Sequence, residues 1–314
     1  MRPPPPDFVI LGAPKCGTTA VHATLRTHPQ LFFPALKEPH YFSVDFPNRR
    51  EVRSADDYRH LFKKASSDQI RGEASVYYLN SKEAVPAILE LRPDARFMAL
   101  VRNPLEMFVS WHNEQLKALD EDEPSPEKAW RKQASRARGV GIPKGCKDPA
   151  TLQYKDMCSL GDQISRLFRL VPASQRLVIV NDDLAQDPRR VFLEIADFLG
   201  VVDNGISVFA RENGFARFNS ITAAKVVRSS LTNPLLRKFR ARFQTNLNEY
   251  GITPMKWLVR GTLKPAKKPI LSEAFREELW TIFAPDVMLL SQLLNRDLSQ
   301  WKPVPREVTS SNQG

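Results

Sequence analysis

The chain has 314 residues, 42% of them apolar, enough to bury the core of one large α/β domain, and 1–314 reads as that single domain. Forty-six Lys and Arg against 35 Asp and Glu leave a net charge of +11, a balance that attracts polyanions, nucleotides or acidic sugars. Three cysteines without a Cys-x-x-Cys spacing argue against a disulfide framework and a zinc site, so a reducing cytoplasm is the expected compartment. No apolar run approaches the ~18 residues of a membrane span, and the opening MRPPPPDF lacks the profile of a secretory signal. The five histidines form no His-Glu-x-x-His, so no protein-held catalytic metal is expected. No glycine-aromatic RNA signature or helix-turn-helix pattern favours a dedicated nucleic-acid role.

In chain order, the apolar runs Phe8–Leu11, Phe97–Val101 and Leu177–Val180 read as buried parallel strands. Each leads into polar or glycine-rich sequence and then a helical pattern, which predicts an α/β fold with a mostly parallel central sheet between helices. The first helix is expected from Thr18 to Arg26, ending before His28-Pro29. Asn103-Pro104 forms an N-cap and N1 pair that opens a helix through about Leu116. Residues 119–155 are charged and rich in Pro and Gly, and read as an irregular lid or substrate-facing insertion. Helical patterning resumes at Ile164, Leu167 and Phe168, and again from Val191 to Leu199. Residues 213–269 are basic with few clear elements. The last helix carries Phe275, Leu279, Ile282 and Phe283 on one face, and Pro285 is expected to kink or break it.

The segment Gly12–Thr19, GAPKCGTT, joins the first strand to the first helix. Unpaired N–H groups and aligned peptide dipoles make such a helix start an anion site. Gly17 permits close backbone approach, Cys16 is a further candidate contact to the nucleotide, Thr18 and Thr19 add hydroxyls, and Lys15 leans over a leaving phosphate oxygen. A kinase loop, Gly-x-x-x-x-Gly-Lys-[Ser/Thr], would put its lysine where Thr18 stands. Its displacement to Lys15 favours a shorter, metal-free donor over a nucleoside triphosphate. In LVRNPLEMFVSWH, Arg102 ends a strand and Ser110 lies two turns into the next helix, positions that could grip one phosphate. The competing account is a salt-bridged Arg102 and a merely small Ser110.

GAPKCGTT resembles the 5′-phosphosulfate loop of sulfotransferases that use 3′-phosphoadenosine 5′-phosphosulfate (PAPS), and the Arg102-x7-Ser110 spacing resembles their 3′-phosphate motif. The likeness continues through LKEPHYF at 36–42, NDDL at 181–184 and NRDLSQW at 295–301, and lies closer to the bacterial and heparan-sulfate-type branch than to the phenol-type branch. It implies a P-loop-like three-layer sandwich, metal-independent in-line sulfuryl transfer to a hydroxyl or amine of a small-molecule or carbohydrate acceptor, and release of adenosine 3′,5′-bisphosphate (PAP). By the same resemblance Glu38 is the catalytic base with His40 as helper or alternative, and Arg217, Arg228 and Ser229 in the basic region close over the nucleotide; Lys37 reads either as steadying the sulfuryl group or an acidic substrate or as a solvated surface charge. Where heparan-type enzymes carry a lysine this chain has Ala74, so Glu73, Tyr77 and Tyr78 are expected to line a different acceptor pocket; core packing is the alternative for the tyrosines. Two rival functions stay open: a P-loop kinase using Asp182 or Asp183, and a non-enzymatic basic polyanion binder. Acceptor identity and oligomeric state are not legible.

Overall fold

The computed structural model describes residues 5–209, 216–218 and 263–304. Its centre is a five-stranded sheet of order β2-β3-β1-β4-β5, built from β1 (Phe8–Gly12), β2 (Leu31–Phe32), β3 (Ile70–Ala74), β4 (Arg96–Val101) and β5 (Arg176–Val180). All four pairings are parallel. The three strands expected from apolar runs are present, each starting within a residue of its expected position. Two strands escaped the pattern. β2 has only two residues, and β3 (IRGEA) reads as polar because it carries an arginine and a fully buried glutamate.

β1 lies between β3 and β4, and Phe8, Val9, Ile10 and Leu11 are completely buried. At ~1.5–3 kcal/mol for each large apolar side chain, this strand is the anchor of the core. The chain leaves it in α1 (Thr18–Leu25), then α2 (Ala55–Leu61) and α3 (Ala84–Leu91). α4 (Pro104–Ala118) starts as its sequence dictates: the Asn103 side chain accepts from Leu105 N, with Pro104 at the first position. It ends on Leu119 in the left-handed region.

Residues 119–155 are more ordered than their composition suggested. They hold α5 (Pro126–Arg131) and α6 (Gln133–Ala137), and lead into α7 (Tyr154–Cys158). Glu121 organises this part. Its carboxylate accepts from both Arg136 terminal nitrogens at 2.5 and 2.6 Å and from the Tyr154 hydroxyl at 2.6 Å, and the paired Glu121 and Arg136 side chains are wholly buried. Burial pushes the Glu121 pKa up, but the Arg136 and Tyr154 bonds outweigh it and the net shift is downward. The charged residues that made the segment look solvated are, at these positions, its interior fastening.

α8 (Leu160–Leu170) precedes β5, and α9 (Asn181–Gln186) and α10 (Pro188–Leu199) follow it. In the basic stretch, β6 (Ala216–Phe218) and β7 (Leu263–Pro265) pair antiparallel. α11 (Glu273–Leu294) is one helix with Pro285 inside it, so the expected break does not occur. An interior proline costs about 3 kcal/mol. Burial of Phe283, Val287 and Leu290 on both sides offsets it, and the Asp286 carboxylate accepts from the amides of Gly161 and Asp162 at 2.8 and 2.9 Å, fastening α11 to the start of α8.

Arg136→Met leaves the Glu121 carboxylate buried without its cation, and urea melts are expected to show a loss of about 3–5 kcal/mol. Adding Glu121→Gln should recover part of that loss, because the stranded charge is gone.

Candidate active site

The loops after β1 and β4 leave the carboxyl ends of adjacent strands, where ligands bind in open α/β sheets. Gly12 has φ of 131°, and a Cβ there would stand 2.6 Å from the Val76 carbonyl oxygen. Ala13 N donates to Leu100 O at 2.9 Å, tying the loop to β4. α1 begins at Gly17, in the left-handed region at φ 97°, and no side chain caps it, so its first amides face the loop. A Cβ on Gly17 would meet Asn181 Nδ2 and Leu184 Cδ1, each at 2.8 Å. Asn181 Nδ2 donates to Cys16 O at 3.0 Å, so α9 fixes the turn from behind. The Cys16 side chain is buried against Pro14 O and Met107, which leaves only its backbone to serve an anion. Thr18 is buried, whereas Thr19 is exposed.

Lys15 sits at φ 64° and its ammonium donates to Glu114 Oε2 at 3.2 Å. Arg102 Nη1 donates to Lys15 O at 3.2 Å, and its other edge holds Glu106 with Nη2 at 2.5 Å. Glu106, Ser110 and Glu114 recur at four-residue spacing on α4, so they share one stripe. Ser110 therefore lies between the partner of Arg102 and the partner of Lys15. The competing account of Arg102 as a salt-bridged residue is true of the resting structure; the bond to Lys15 O shows that the same side chain also reaches the loop.

On the other side of the loop, Lys37 Nζ donates to Thr19 Oγ1 at 3.1 Å and to Glu38 Oε1 at 2.7 Å. His40 Nε2 lies 3.5 Å from Glu38 Oε2, and its Nδ1 is buried without a partner among the described residues. Both Glu38 (φ 65°) and His40 (φ 51°) occupy the left-handed region. For residues with side chains this costs about 1–3 kcal/mol each, and such strain gathers at functional sites. Burial pushes the Glu38 pKa up, but the His40 hydrogen bond and the Lys37 charge prevail and hold it at about 2. His22, buried against Phe33, is pushed down to about 3 by burial and by the nearby charges of Lys37 and Arg26, so it is neutral here.

The structure thus gathers Lys15, Gly17, Thr18, Thr19, Arg102 and Ser110 around one loop, with Lys37, Glu38 and His40 beside it. It corrects the acceptor-pocket expectation for Glu73 and Tyr78, which have no exposed surface, and Tyr77 is packed against His40, Phe46 and Trp111. Arg217 lies on β6, while Arg228 and Ser229 lie outside the described residues. Asp183 is held by Arg296 at 2.5 and 2.6 Å and by Arg190 at 3.0 Å, and Asp182 accepts from Trp301 Nε1 at 2.9 Å. The aspartates that a kinase would turn toward magnesium instead fasten the segment after α11; neither caps a helix. Sequence reasoning missed Glu114 and Asn181. The four-residue step from Ser110 was a signal for the first, whereas nothing local announced the second.

The sulfotransferase-domain family model matches residues 5–238. Human bifunctional heparan sulfate N-deacetylase/N-sulfotransferase 3 is 27% identical over 202 residues, covering 63% of this chain and 22% of that protein. Rat carbohydrate sulfotransferase 15 is 30% identical over 147 residues, covering 33% of this chain and 26% of that protein. The matched part thus spans about a quarter of the length of these relatives. A crystal structure of a sulfotransferase from Alicyclobacillus acidocaldarius superposes with a TM-score of 0.67 at 23% identity, over 95% of this chain and 99% of that one, and shares its fold. The chain belongs to the sulfotransferase-domain family, and its parallel sheet with flanking helices is the P-loop-like architecture.

The depressed Glu38 pKa adds stability that is fully present above its ordinary value of 4.5 and is lost as pH falls through about 2. Lys37→Met removes one of the charges that depress it. The Glu38 pKa then rises, and the acid limb of the kcat/KM profile is expected to move up by about one pH unit. The position of that limb, independent of its height, is the measurement.

Proposed function

We propose that this protein transfers a sulfuryl group from PAPS to a hydroxyl or amine of a small-molecule or carbohydrate acceptor, releasing PAP. The observation that carries this reading is the bridge made by Lys37: one ammonium is bonded both to Thr19 of the anion loop and to the Glu38 carboxylate. A base within one side chain of a phosphate cradle suits attack on a group attached to that phosphate.

The residues fit the donor. The uncapped start of α1, Lys15 and the threonine hydroxyls present donors to the 5′-phosphosulfate, and Arg102 with Ser110 presents a second set for the 3′-phosphate. Arg217, Arg228 and Ser229 belong to the same reading as covers of the nucleotide. Glu38 accepts the acceptor proton, the freed lone pair forms the new O–S or N–S bond, and the bond from sulfur to the bridging phosphate oxygen breaks. Lys15 stabilises the charge that develops on that oxygen. His40 holds the second Glu38 oxygen, as helper rather than first base.

The names of the relatives, carbohydrate sulfotransferase and heparan sulfate N-sulfotransferase, support a sugar hydroxyl or amine as acceptor. Ala74 in place of the expected lysine separates this chain from the heparan-type pattern, so the glycan need not be a sulfated one. We also read the whole chain as one catalytic domain, because Arg296 and Trp301 near its end are bonded to Asp183 and Asp182 after β5. We read the protein as cytoplasmic, because none of its three cysteines forms a disulfide.

Incubation with labelled PAPS and a panel of sugar, phenol, lipid and amine acceptors should yield a product carrying the added sulfate, detected by mass spectrometry. PAP binding by calorimetry is expected to survive EDTA, whereas a P-loop kinase would show metal-dependent ATP binding instead. Lys15→Ala is expected to lower turnover by roughly 10²–10³-fold. Unchanged turnover in Lys15→Ala would remove the leaving-group role, and normal turnover in Glu38→Gln would remove the base.

A further inference from the structure

Three amides of the segment that carries Glu38 and His40 are bonded to the stretch following β3. Glu38 N donates to Ala74 O at 2.9 Å, His40 N to Ser75 Oγ at 3.0 Å and Phe42 N to the Tyr78 hydroxyl at 3.0 Å. They are alternate residues, as in an extended seam, but two of the three acceptors are side-chain hydroxyls. A hydroxyl is both donor and acceptor, and its proton must be turned away before its lone pair can receive an amide. Glu73 does this for Ser75. Its Oε1 accepts from Ser75 Oγ at 2.7 Å, and its Oε2 accepts from the Tyr58 hydroxyl.

We propose that Glu73 is a positioning residue for the base segment 38–42: its buried carboxylate takes the Ser75 hydroxyl proton and so orients the Ser75 oxygen toward the His40 amide. The inference rests on the reading of Glu38 and His40 as the proton-handling pair.

Glu73 is fully buried, an expensive place for a carboxylate where an apolar side chain would pack at lower cost. Burial pushes its pKa up, and the net shift stays upward although the Tyr58 and Ser75 bonds oppose it. Both oxygens are taken by donors, which favours the ionised, acceptor-only form. What such a group supplies, and a leucine cannot, is direction. The segment needs that direction because both Glu38 and His40 sit in left-handed conformations that relax unless they are held. Tyr58 differs from Ser75 and Tyr78 in one useful way. It bonds Glu73 and stacks on Tyr41, but its hydroxyl receives no amide of 38–42.

Four variants test this: Glu73→Gln, Ser75→Ala, Tyr58→Phe and Glu38→Gln. Glutamine keeps the shape of Glu73 but turns one acceptor into a donor facing a hydroxyl. Amide hydrogen exchange with PAP bound is expected to rise about tenfold or more across 38–42 in Glu73→Gln and Ser75→Ala, while the loop 12–19 keeps its protection. PAP affinity should stay within about twofold of the parent, and turnover with the acceptor found by the labelled-PAPS panel should fall about tenfold or more. Tyr58→Phe should lower Tm without altering exchange at 38–42. The proposal is overturned if exchange at 38–42 is unchanged in Glu73→Gln, if it rises equally in all segments, or if Tyr58→Phe reproduces it. Glu38→Gln separates the two readings. If it keeps normal turnover while Glu73→Gln loses it, the base assignment fails and the positioning role stands. If it abolishes turnover while Glu73→Gln leaves turnover and exchange unchanged, the positioning role fails alone.

Discussion

A side chain on Gly12 would stand 2.6 Å from the Val76 carbonyl oxygen, and the absence of that side chain lets three segments meet at the end of β1. On one side Ser75 N and Leu79 N donate to Ile10 O and Leu11 O, and on the other Ala13 N donates to Leu100 O. The anion loop is therefore clamped between the stretch after β3 and the end of β4. Both chemical halves of the site grow out of these clamps. β4 continues into Arg102 and the α4 stripe that faces the loop, and the end of β3 and the stretch after it carry the Ala74 carbonyl and the Ser75 hydroxyl that hold the amides of Glu38 and His40.

The consequence is a site assembled almost wholly by groups remote in sequence. Lys15 and Glu114 are bonded across 99 residues, Cys16 and Asn181 across 165. The local contacts are Arg102 with Glu106, Glu38 with His40, and Lys37, which joins its neighbour Glu38 to a loop only 18 residues away. That bond places a carboxylate held at about 2 beside the loop that follows β1, ionised throughout the physiological range. Its basicity is low while Lys37 and His40 hold it, so any anion that draws Lys37 away raises it.

How much of this was legible depended on whether the signal was local. β1, β4 and β5 announced themselves because buried parallel strands are runs of apolar residues, and the helix after β1 followed from Gly17 and the threonines. The opening of α4 was equally local, with Asn103 and Pro104 side by side. β3 was hidden because its buried residues are Gly72, Glu73 and Ala74, and the acid's hydroxyl partners include Tyr58, fifteen residues away; no hydropathy rule foresees a satisfied acid. The same blindness turned residues 119–155 into an apparent loop, although Glu121 and Arg136 neutralise each other inside the protein. Pro285 was half legible: of the kink or break that the local rule allows, the packing around Asp286 overrides the break. The loop from Gly12 to Thr19 and the Arg102–Ser110 spacing were legible as motifs, while the partners around them, Glu114, Glu106 and Asn181, required the fold.

The three cations described around the loop are each matched: Lys15 with Glu114, Arg102 with Glu106, Lys37 with Glu38. At these three an incoming anion does not meet bare positive charge; it has to displace a resident carboxylate, whereas the uncapped amides of α1 hold none. A ligand with a single phosphate can exchange with only one of these pairs and gains little over the partner it evicts. One that offers several anionic groups on a single frame makes the exchanges together, and after the first the others proceed within one complex. The site therefore filters by the spacing and number of negative charges more than by charge itself, which keeps a chain of net charge +11 from being occupied by whatever small anion is most abundant around it.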